Sequence, residues 1–420
     1  MSQRQFDIAV IGNTLSARMS ATLLAKNGLS VIRFGSTEPD RTGWLFSSLF
    51  LEKLLGALGG RSCFTNPTPI QVISVHSRVS IHQETSIETE LTREFDNDGP
   101  ALIEFLNSLL ETGSNLNALL WDNNGLPWPG LKSQGLFRYH CLRRKLSTRE
   151  LNGPLTEQLN GFPLACREFL INLFQGLSLL PIGNLTLVDA ALLWTQANRP
   201  ENLAEEEFNK LLEKRFEQFH GRSEPLEQLE RVELQDNEFV SGRIKERGEF
   251  QAKALLIGDL YAVSQFPSIQ TVSPVPATST TRLMTSDLSN QLSPLLAERV
   301  IVGNQQPLRV AFQEEDGQTV GAIDAGGSQQ APEITTAMEP VLPFATYSLN
   351  AAESSILPDS TRAQPSSTGS LFTRPIQLGR NLFCVDSSLL YPGMPAAGGA
   401  LIAWSLLNRF GRSETEGKSR

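Results

Sequence analysis

Cysteine and histidine are scarce in this chain of 420 residues, four of each. Cys63, Cys141, Cys166 and Cys384 stand far apart and form no CxxC pair, so neither a zinc site nor a redox dithiol is signalled. His76, His82, His140 and His220 are dispersed as well, and their spacing marks neither a metal site nor a catalytic triad. Reduced buried thiols and surface or packed histidines are the expectation. There is no uninterrupted apolar run of about eighteen residues, the length that reads as a membrane span. No transmembrane segment is therefore expected, while peripheral membrane contact stays open. Cations are outnumbered: 36 Lys and Arg against 45 Asp and Glu give a formal net charge of −9, which argues against a nucleic-acid surface. The N-terminus runs almost directly into an apolar strand, without the longer apolar region and cleavage site of a signal peptide, and a cytoplasmic location is expected.

What is present is ordinary globular composition, 40% hydrophobic and 19% charged, over a length that suffices for two domains with separate cores. The chain is organised around Phe6 to Ser36. Ile8-Ala9-Val10-Ile11 is too short for a helix and suits a buried parallel strand. A turn begins at Gly12; Leu15, Met19, Leu23 and Leu24 then recur at helical spacing up to the stop signal Asn27-Gly28, and Val31 to Phe34 reads as the next strand. Strand, glycine turn, helix and strand within about thirty residues is the βαβ unit of a dinucleotide-binding domain.

The fingerprint inside that unit departs from G-x-G-x-x-G/A. The chain has Gly12-Asn13-Thr14-Leu15-Ser16-Ala17. Gly12 serves the turn and Ala17 is an allowed small third residue, but Thr14 replaces the glycine that lets backbone approach a pyrophosphate. The acidic residue that binds a ribose hydroxyl should end the second strand, and that place falls on Gly35. Two readings follow: a dinucleotide site, or a Rossmann-like unit that keeps its packing and has lost its ligand.

Further along, Leu49 to Leu58 forms an apolar helix stopped by Gly59-Gly60, and Ile70–Val75 with Arg78–Ile81 reads as a hairpin. A helix carries Leu102, Phe105, Leu106, Leu109 and Leu110 on one face. Residues 123–149 read as loop, with cations gathered at 138–145 that suit a phosphate or acidic partner or simply a solvated surface. Phe169–Leu180 and Leu185–Trp194 are greasy helices, lining an apolar substrate pocket or forming ordinary core. From Glu201 the pattern is an amphipathic helix, then strands around Leu229, Val232 and Leu234, a turn at Asp236-Asn237, a return strand and a third strand ending at Ile257. Residues 264–281 are rich in Pro, Ser and Thr; three strands between 300 and 323 suggest an antiparallel sheet; 326–332 and 358–369 look like loops. Near the end, Asn381 to Val385 is a short strand followed by Asp386, and Gly393-Met394-Pro395-Ala396-Ala397-Gly398-Gly399 leads into a helix. A strand ending in a carboxylate and feeding a Gly-rich helix N-terminus is chemistry for a phosphate or for the edge of a flavin ring.

The N-terminal βαβ unit, the block 201–259 and the Asp386/Gly393–Gly399 ending together resemble the phytoene desaturase and amine oxidase superfamily of FAD-dependent oxidoreductases. The resemblance implies an α/β fold: a Rossmann-like FAD/NAD(P)-binding domain with a discontinuous second α+β substrate domain. The first would comprise 1–75, 201–262 and 372–412, the second 76–200 and 263–371, with 413–420 a disordered tail. It implies FAD as cofactor, with Leu229 and Val232 near the adenine, Asp386 on the ribityl chain, and Gly393, Met394, Pro395 and Gly398 at the helix N-terminus facing the ring. Val385 stands where the family has glycine. With Thr14 and Gly35 that makes three departures at cofactor-contacting positions, so FAD is expected to be weakly held or lost. The implied function is hydride transfer from an apolar small molecule to flavin, which needs no obligatory acid–base cluster. The alternative is a non-catalytic flavoprotein-like partner subunit or lipophile carrier.

Overall fold

Strand β1 (Arg4–Ile11), helix α1 (Leu15–Lys26) and strand β2 (Val31–Phe34) form the βαβ unit that the opening pattern dictates. The computed structural model describes residues 4–35, 44–60, 63–81, 85–122, 131–199, 201–258, 266–270, 277–289, 291–303, 305–315, 317–327, 329–358, 377–385 and 395–410. All four residues of β2 are buried, as expected for a parallel strand covered on both faces. Helix α1 stops where its sequence says: Asn27 is the C-cap and Gly28 follows at φ +85°, a backbone state that glycine adopts without strain.

The chain then runs through α2 (Leu49–Leu58), β3 (Phe64–Thr65), the hairpin β4 (Ile70–Ile73) and β5 (Arg78–Ile81), and the helices α3 (Ile87–Phe95) and α4 (Gly99–Asp122). Helices α5 (Leu131–Arg143), α6 (Thr148–Leu151), α7 (Leu155–Leu159), α8 (Leu164–Ser178) and α9 (Leu187–Ala197) follow. Next come β6 (Asn202–Leu203), α10 (Glu205–Gln218), β7 (Arg222–Glu224) and the meander β8 (Leu229–Gln235), β9 (Glu238–Ile244) and β10 (Gly248–Ile257). Strands β11 (Ala277–Thr285), β12 (Arg299–Val302), β13 (Leu308–Glu315), β14 (Gln318–Gly326) and β15 (Leu349–Pro358) precede β16 (Leu382–Cys384) and a C-terminal helix, Pro395–Phe410.

Two sheets divide these strands. In the first, β7, β2, β1, β10 and β16 lie side by side and parallel, and β9 and β8 continue antiparallel from the opening residues of β10. Alternation along β1 assigns its two faces. Ile8 and Val10 belong to the core built with α1, α10 and the C-terminal helix. Ala9 and Ile11 belong to a separate core with Leu229, Val232, Phe239 and Ile244 of the meander. The parallel sheet is therefore sandwiched between helices and an antiparallel ribbon.

The second sheet has the order β15-β11-β14-β13-β12-β4-β5, antiparallel except for the parallel pair β12–β4. Val300 and Val302 face a core closed by Ile334 and Met338 of the helix Ala331–Met338, while Ile301 faces the helices. Gly176 of α8 lies so close to the Ile301 side chain that a Cβ there would overlap it. The fold is thus α/β, a Rossmann-like domain joined to a second α+β domain that is discontinuous in the chain. The boundary expected at residue 75 passes through the β4–β5 hairpin, both of whose strands belong to the second sheet.

Several local expectations need correction. Residues 131–143 are helical rather than loop, because Phe137 and Cys141, four apart, turn one face inward; a stripe of two residues is too short to read as a helix. Ile87–Phe95 forms its own helix, capped by Ser86, ahead of α4. Part of the 326–332 stretch enters the helix that begins at Ala331, and the Pro/Ser/Thr-rich stretch enters β11 at Ala277. No described helix is long and apolar enough to cross a membrane. All four cysteines are buried free thiols. The greasy helices α8 and α9 bury Phe169, Leu170, Leu173, Leu192 and Trp194 in the main core.

Candidate functional site

Ligands of open parallel sheets bind outside the carboxyl ends of the strands, where the strand order reverses. Here that point lies between β1, whose chain moves on to β2 and β7, and β10, whose neighbour is β16. Gly12 leaves β1 at φ +124°, reachable without strain by glycine. Its N–H donates to the Phe34 carbonyl at 2.8 Å, and on the other side the Gly258 N–H donates to the Ile11 carbonyl at 2.7 Å. Thr14 is the N-cap of α1: its hydroxyl oxygen accepts from the Ala17 N–H at 3.3 Å. The same hydroxyl donates to the Gly258 carbonyl at 2.6 Å, across the switch point. Ala17 lies against Gly258 so closely that a Cβ on Gly258 would overlap its methyl. Leu15 and Ser16, the remaining residues of the fingerprint, are buried in the first turn of α1.

The floor of the crevice between β1 and β2 is filled by side chains. Asn13 is buried, and its Oδ1 accepts from Arg18 Nε at 2.9 Å. Arg18, within α1, also donates to Asn209 Oδ1 at 3.2 Å and lies 3.5 Å from the Glu213 carboxylate. Arg33 reaches the same carboxylate at 2.6 Å and stacks over the Phe216 ring. A Cβ placed on Gly35 would stand 3.0 Å from the Gly12 carbonyl and 3.2–3.3 Å from the Asn13 side chain. Gly35 donates its N–H to the carbonyl of Glu224, the last residue of β7, and the Glu224 carboxylate is paired with Arg222 and Arg247.

The C-terminal helix closes the site from behind. The Val385 N–H donates to the Ile257 carbonyl, extending β16 along β10. Pro395 opens the helix and Gly398 is buried in its first turn. At Gly399 the helix meets α1 so tightly that a Cβ would overlap the Ser16 backbone, and Ser20 Oγ donates to the Gly399 carbonyl at 2.8 Å. Asp386, Gly393 and Met394 lie outside the described residues.

Leu229 and Val232 are not brought to this site. Register runs from Val232 through Gly242 and Phe250 to Arg4, the start of β1, about 25 Å of strand away from Gly12. Both side chains pack into the core under the meander, and the Val232 carbonyl accepts from Ser268 Oγ at 2.7 Å. The strand beside β2 and Gly35 is β7, ending at Glu224, and not β8. Gly258, Arg18 and Glu213 were missed in the sequence reading. A glycine closing a buried strand could have flagged the first; a charge inside an apolar helix pattern could have flagged the second.

A second cluster lies where the second sheet meets the segment following β2. Arg282 and Arg309 share Asp324, at 2.7 and 3.2 Å. The guanidinium of Arg309 lies 5.0 Å from the centre of the Trp44 ring, and that of Arg299 lies 5.7 Å from Trp44 and 5.2 Å from Phe46. Burial pushes the Arg299 pKa down to about 10, helped by Arg309 and opposed by Glu205 and Glu298. Burial also lowers that of Arg309, against the pull of Asp324. This seam is charged and aromatic.

The fold is shared with solved structures of amine oxidases and other oxidoreductases and with that of a RAB GDI. Among similar solved structures, an oxidoreductase from Methanosarcina mazei has a TM-score of 0.56 at 10% identity, covering 96% of this chain and 100% of that one. Putrescine oxidase bound to putrescine has a TM-score of 0.52 at 12% identity, covering 100% of each chain. RAB GDI from Plasmodium falciparum has a TM-score of 0.54 at 11% identity, covering 98% and 99%. No protein-family model and no curated protein sequence matches the chain.

Two side chains occupy the switch point at which this fold type receives a dinucleotide. A pyrophosphate at the switch point needs the free N–H groups of the first turn and a backbone that it can approach. Here the Thr14 side chain caps that turn and bridges to Gly258, and Asn13 fills the volume beside Gly35.

Proposed function

We propose that this protein keeps the flavin oxidoreductase fold with FAD held weakly or lost. The observation that carries the reading is the Thr14–Gly258 hydrogen bond closing the switch point. The Asn13 side chain beside Gly35 supports it. The protein would then serve as a carrier or partner subunit of flavoprotein shape. The decisive measurement is the flavin content of the purified full chain after gel filtration, followed by titration with FAD and fluorescence quenching. A colourless protein with weak FAD binding is expected. Stoichiometric flavin that survives gel filtration would overturn the reading.

A second reading, an FAD-dependent oxidoreductase, is favoured by the close packing retained at Gly12, Ala17, Gly258 and Gly399. On that reading bound flavin would supply the hydride acceptor. Asp386 and the Gly393–Gly398 helix start are the groups proposed to hold its ribityl chain and ring edge. Reduction of added FAD by a candidate substrate under anaerobic conditions distinguishes the two.

A further inference from the structure

Helix α5 is apolar on two opposite sides. Phe137 and Cys141 are buried in the main core. Leu136, Tyr139 and Leu142 are 57%, 59% and 75% exposed. At about 3.6 residues per turn these three fall within an arc of about 120°, on the side of the helix away from Phe137 and Cys141. Single exposed apolar residues are normal on a protein surface, whereas a contiguous group marks a contact face. Among the described residues, α5 is the only helix or strand that exposes more than one large apolar side chain.

The charges around this stripe are of one sign. From Asn123 to Arg149 the sequence has Lys132, Arg138, Arg143, Arg144, Lys145 and Arg149 and no Asp or Glu, in a chain whose formal net charge is −9. Asp122, at the end of α4, takes Arg144, and the next carboxylate, Glu150, follows Arg149. Lys132, Arg143, Lys145 and Arg149 are exposed, and among the described residues none of the four forms an ion pair. Lys132 and Arg143 fall in the same arc as the stripe, and Lys145 and Arg149 follow its C-terminal end.

The face thus sets cations among aliphatic and phenolic groups. Anionic headgroups over hydrocarbon would cover the apolar groups and supply the counter-charges together. Long Lys and Arg stems keep their charges at headgroup level while the leucines go deeper, and a tyrosine suits the boundary. A second copy of the chain on this face is disfavoured, because it would set these cations against one another. A nucleic-acid backbone would match the cations and leave Leu136 and Leu142 uncovered.

We propose that α5 docks the protein on an anionic membrane surface, lying in the plane of the interface with Leu136, Tyr139 and Leu142 toward the acyl chains. Docking of this kind needs no membrane-spanning helix. It is independent of the proposed function, because α5 supplies no residue to the switch point.

The test is sedimentation of the full chain with vesicles of phosphatidylcholine alone and of phosphatidylcholine with about 30% phosphatidylglycerol. Affinity for the anionic vesicles should exceed that for the neutral ones about tenfold or more at about 0.1 M salt, and should fall steeply at about 1 M. Leu136→Gln/Leu142→Gln and Lys132→Gln/Arg143→Gln should each weaken it about tenfold, with circular dichroism and melting confirming that both variants are folded. If the leucine variant does not fold, Tyr139→Ser removes one exposed ring and should weaken binding several-fold. The proposal is overturned by absence of binding to anionic vesicles, by equal binding to neutral ones, or by native affinity in the folded variants. Sedimentation velocity without vesicles examines the other occupant. A dimer that Leu136→Gln/Leu142→Gln dissociates would assign the face to a second copy and overturn the membrane assignment.

Discussion

The hydroxyl of Thr14 and the carbonyl of Gly258, 244 residues apart in sequence, are joined by a 2.6 Å hydrogen bond. One residue caps the first turn of α1 and the other directly follows β10, so the bond spans the gap between the two strands at which the sheet reverses its order. In a dinucleotide site that gap receives phosphate. Here a side chain supplies the cap internally, and the helix N-terminus does not need an external anion to satisfy the Ala17 N–H.

Restoring the fingerprint takes three changes rather than two. Gly35→Glu alone should destabilise the protein, because its Cβ meets the Gly12 carbonyl and the Asn13 side chain at 3.0–3.3 Å. Asn13→Ala with Thr14→Gly and Gly35→Glu removes the obstruction and adds the ribose-binding carboxylate. Each regained contact contributes about 1–3 kcal/mol, so FAD affinity should rise by one to several powers of ten. Titration of native and triple variant side by side decides it; unchanged affinity would place the obstacle elsewhere.

Gly399→Ala should lower stability by about 1–3 kcal/mol or prevent folding, since the added methyl overlaps the Ser16 backbone where the C-terminal helix crosses α1. Urea unfolding should show a lower midpoint with the slope unchanged. A midpoint equal to that of the native chain would mean that the two helices are not in contact there.

Glu213 serves two buried guanidiniums, Arg18 and Arg33. Glu213→Gln leaves both without their carboxylate. Breaking a buried pair costs about 3–5 kcal/mol, and the 33% exposure of the Glu213 side chain moderates this toward about 2 kcal/mol. The control is Glu206→Gln, whose partner Lys210 is on the surface and whose loss should leave the melting curve unmoved. Equal effects from the two variants would contradict the buried network.

Much of the fold was legible because its signals are local. Val31–Phe34, Leu49–Leu58 with its glycine stop, and the Asp236-Asn237 turn at φ +50° and +61° sit where run length, periodicity and turn chemistry put them. The misplaced pieces depended on partners far away in sequence. Nothing near Leu229 or Val232 says that β8 pairs toward the beginning of β1, or that β7, only three residues long, takes the place beside β2. Thr14 and Gly35 could be seen as departures, but that Asn13 turns into the space beside Gly35 could not. The Arg282–Asp324–Arg309 row is set by strand register across three strands, and Arg299 joins it only through the pairing of β12 with β13. Sequence spacing carries no trace of such a row.

Stability should fall in alkaline solution through the buried thiols. Burial raises the pKa values of Cys141 and Cys166 from 9.0 to about 11, with Asp98 adding to the effect at Cys166. The native state therefore keeps both protons after the unfolded chain has lost them, and a state that binds more protons is disfavoured as pH rises. The contribution is complete below pH 9.0 and is lost progressively up to about pH 11. Two pKa units correspond to about 2–3 kcal/mol for each thiol. The hydroxyl of Tyr347 is also shifted up, by burial and then by Glu339, so the total slope is not the thiols' alone. Comparing urea unfolding of the native chain with Cys141→Ala/Cys166→Ala from pH 8 to pH 11 isolates them. The double variant should start less stable and lose less across that window; parallel curves would show that the two thiols ionise in the folded protein as readily as in the unfolded chain.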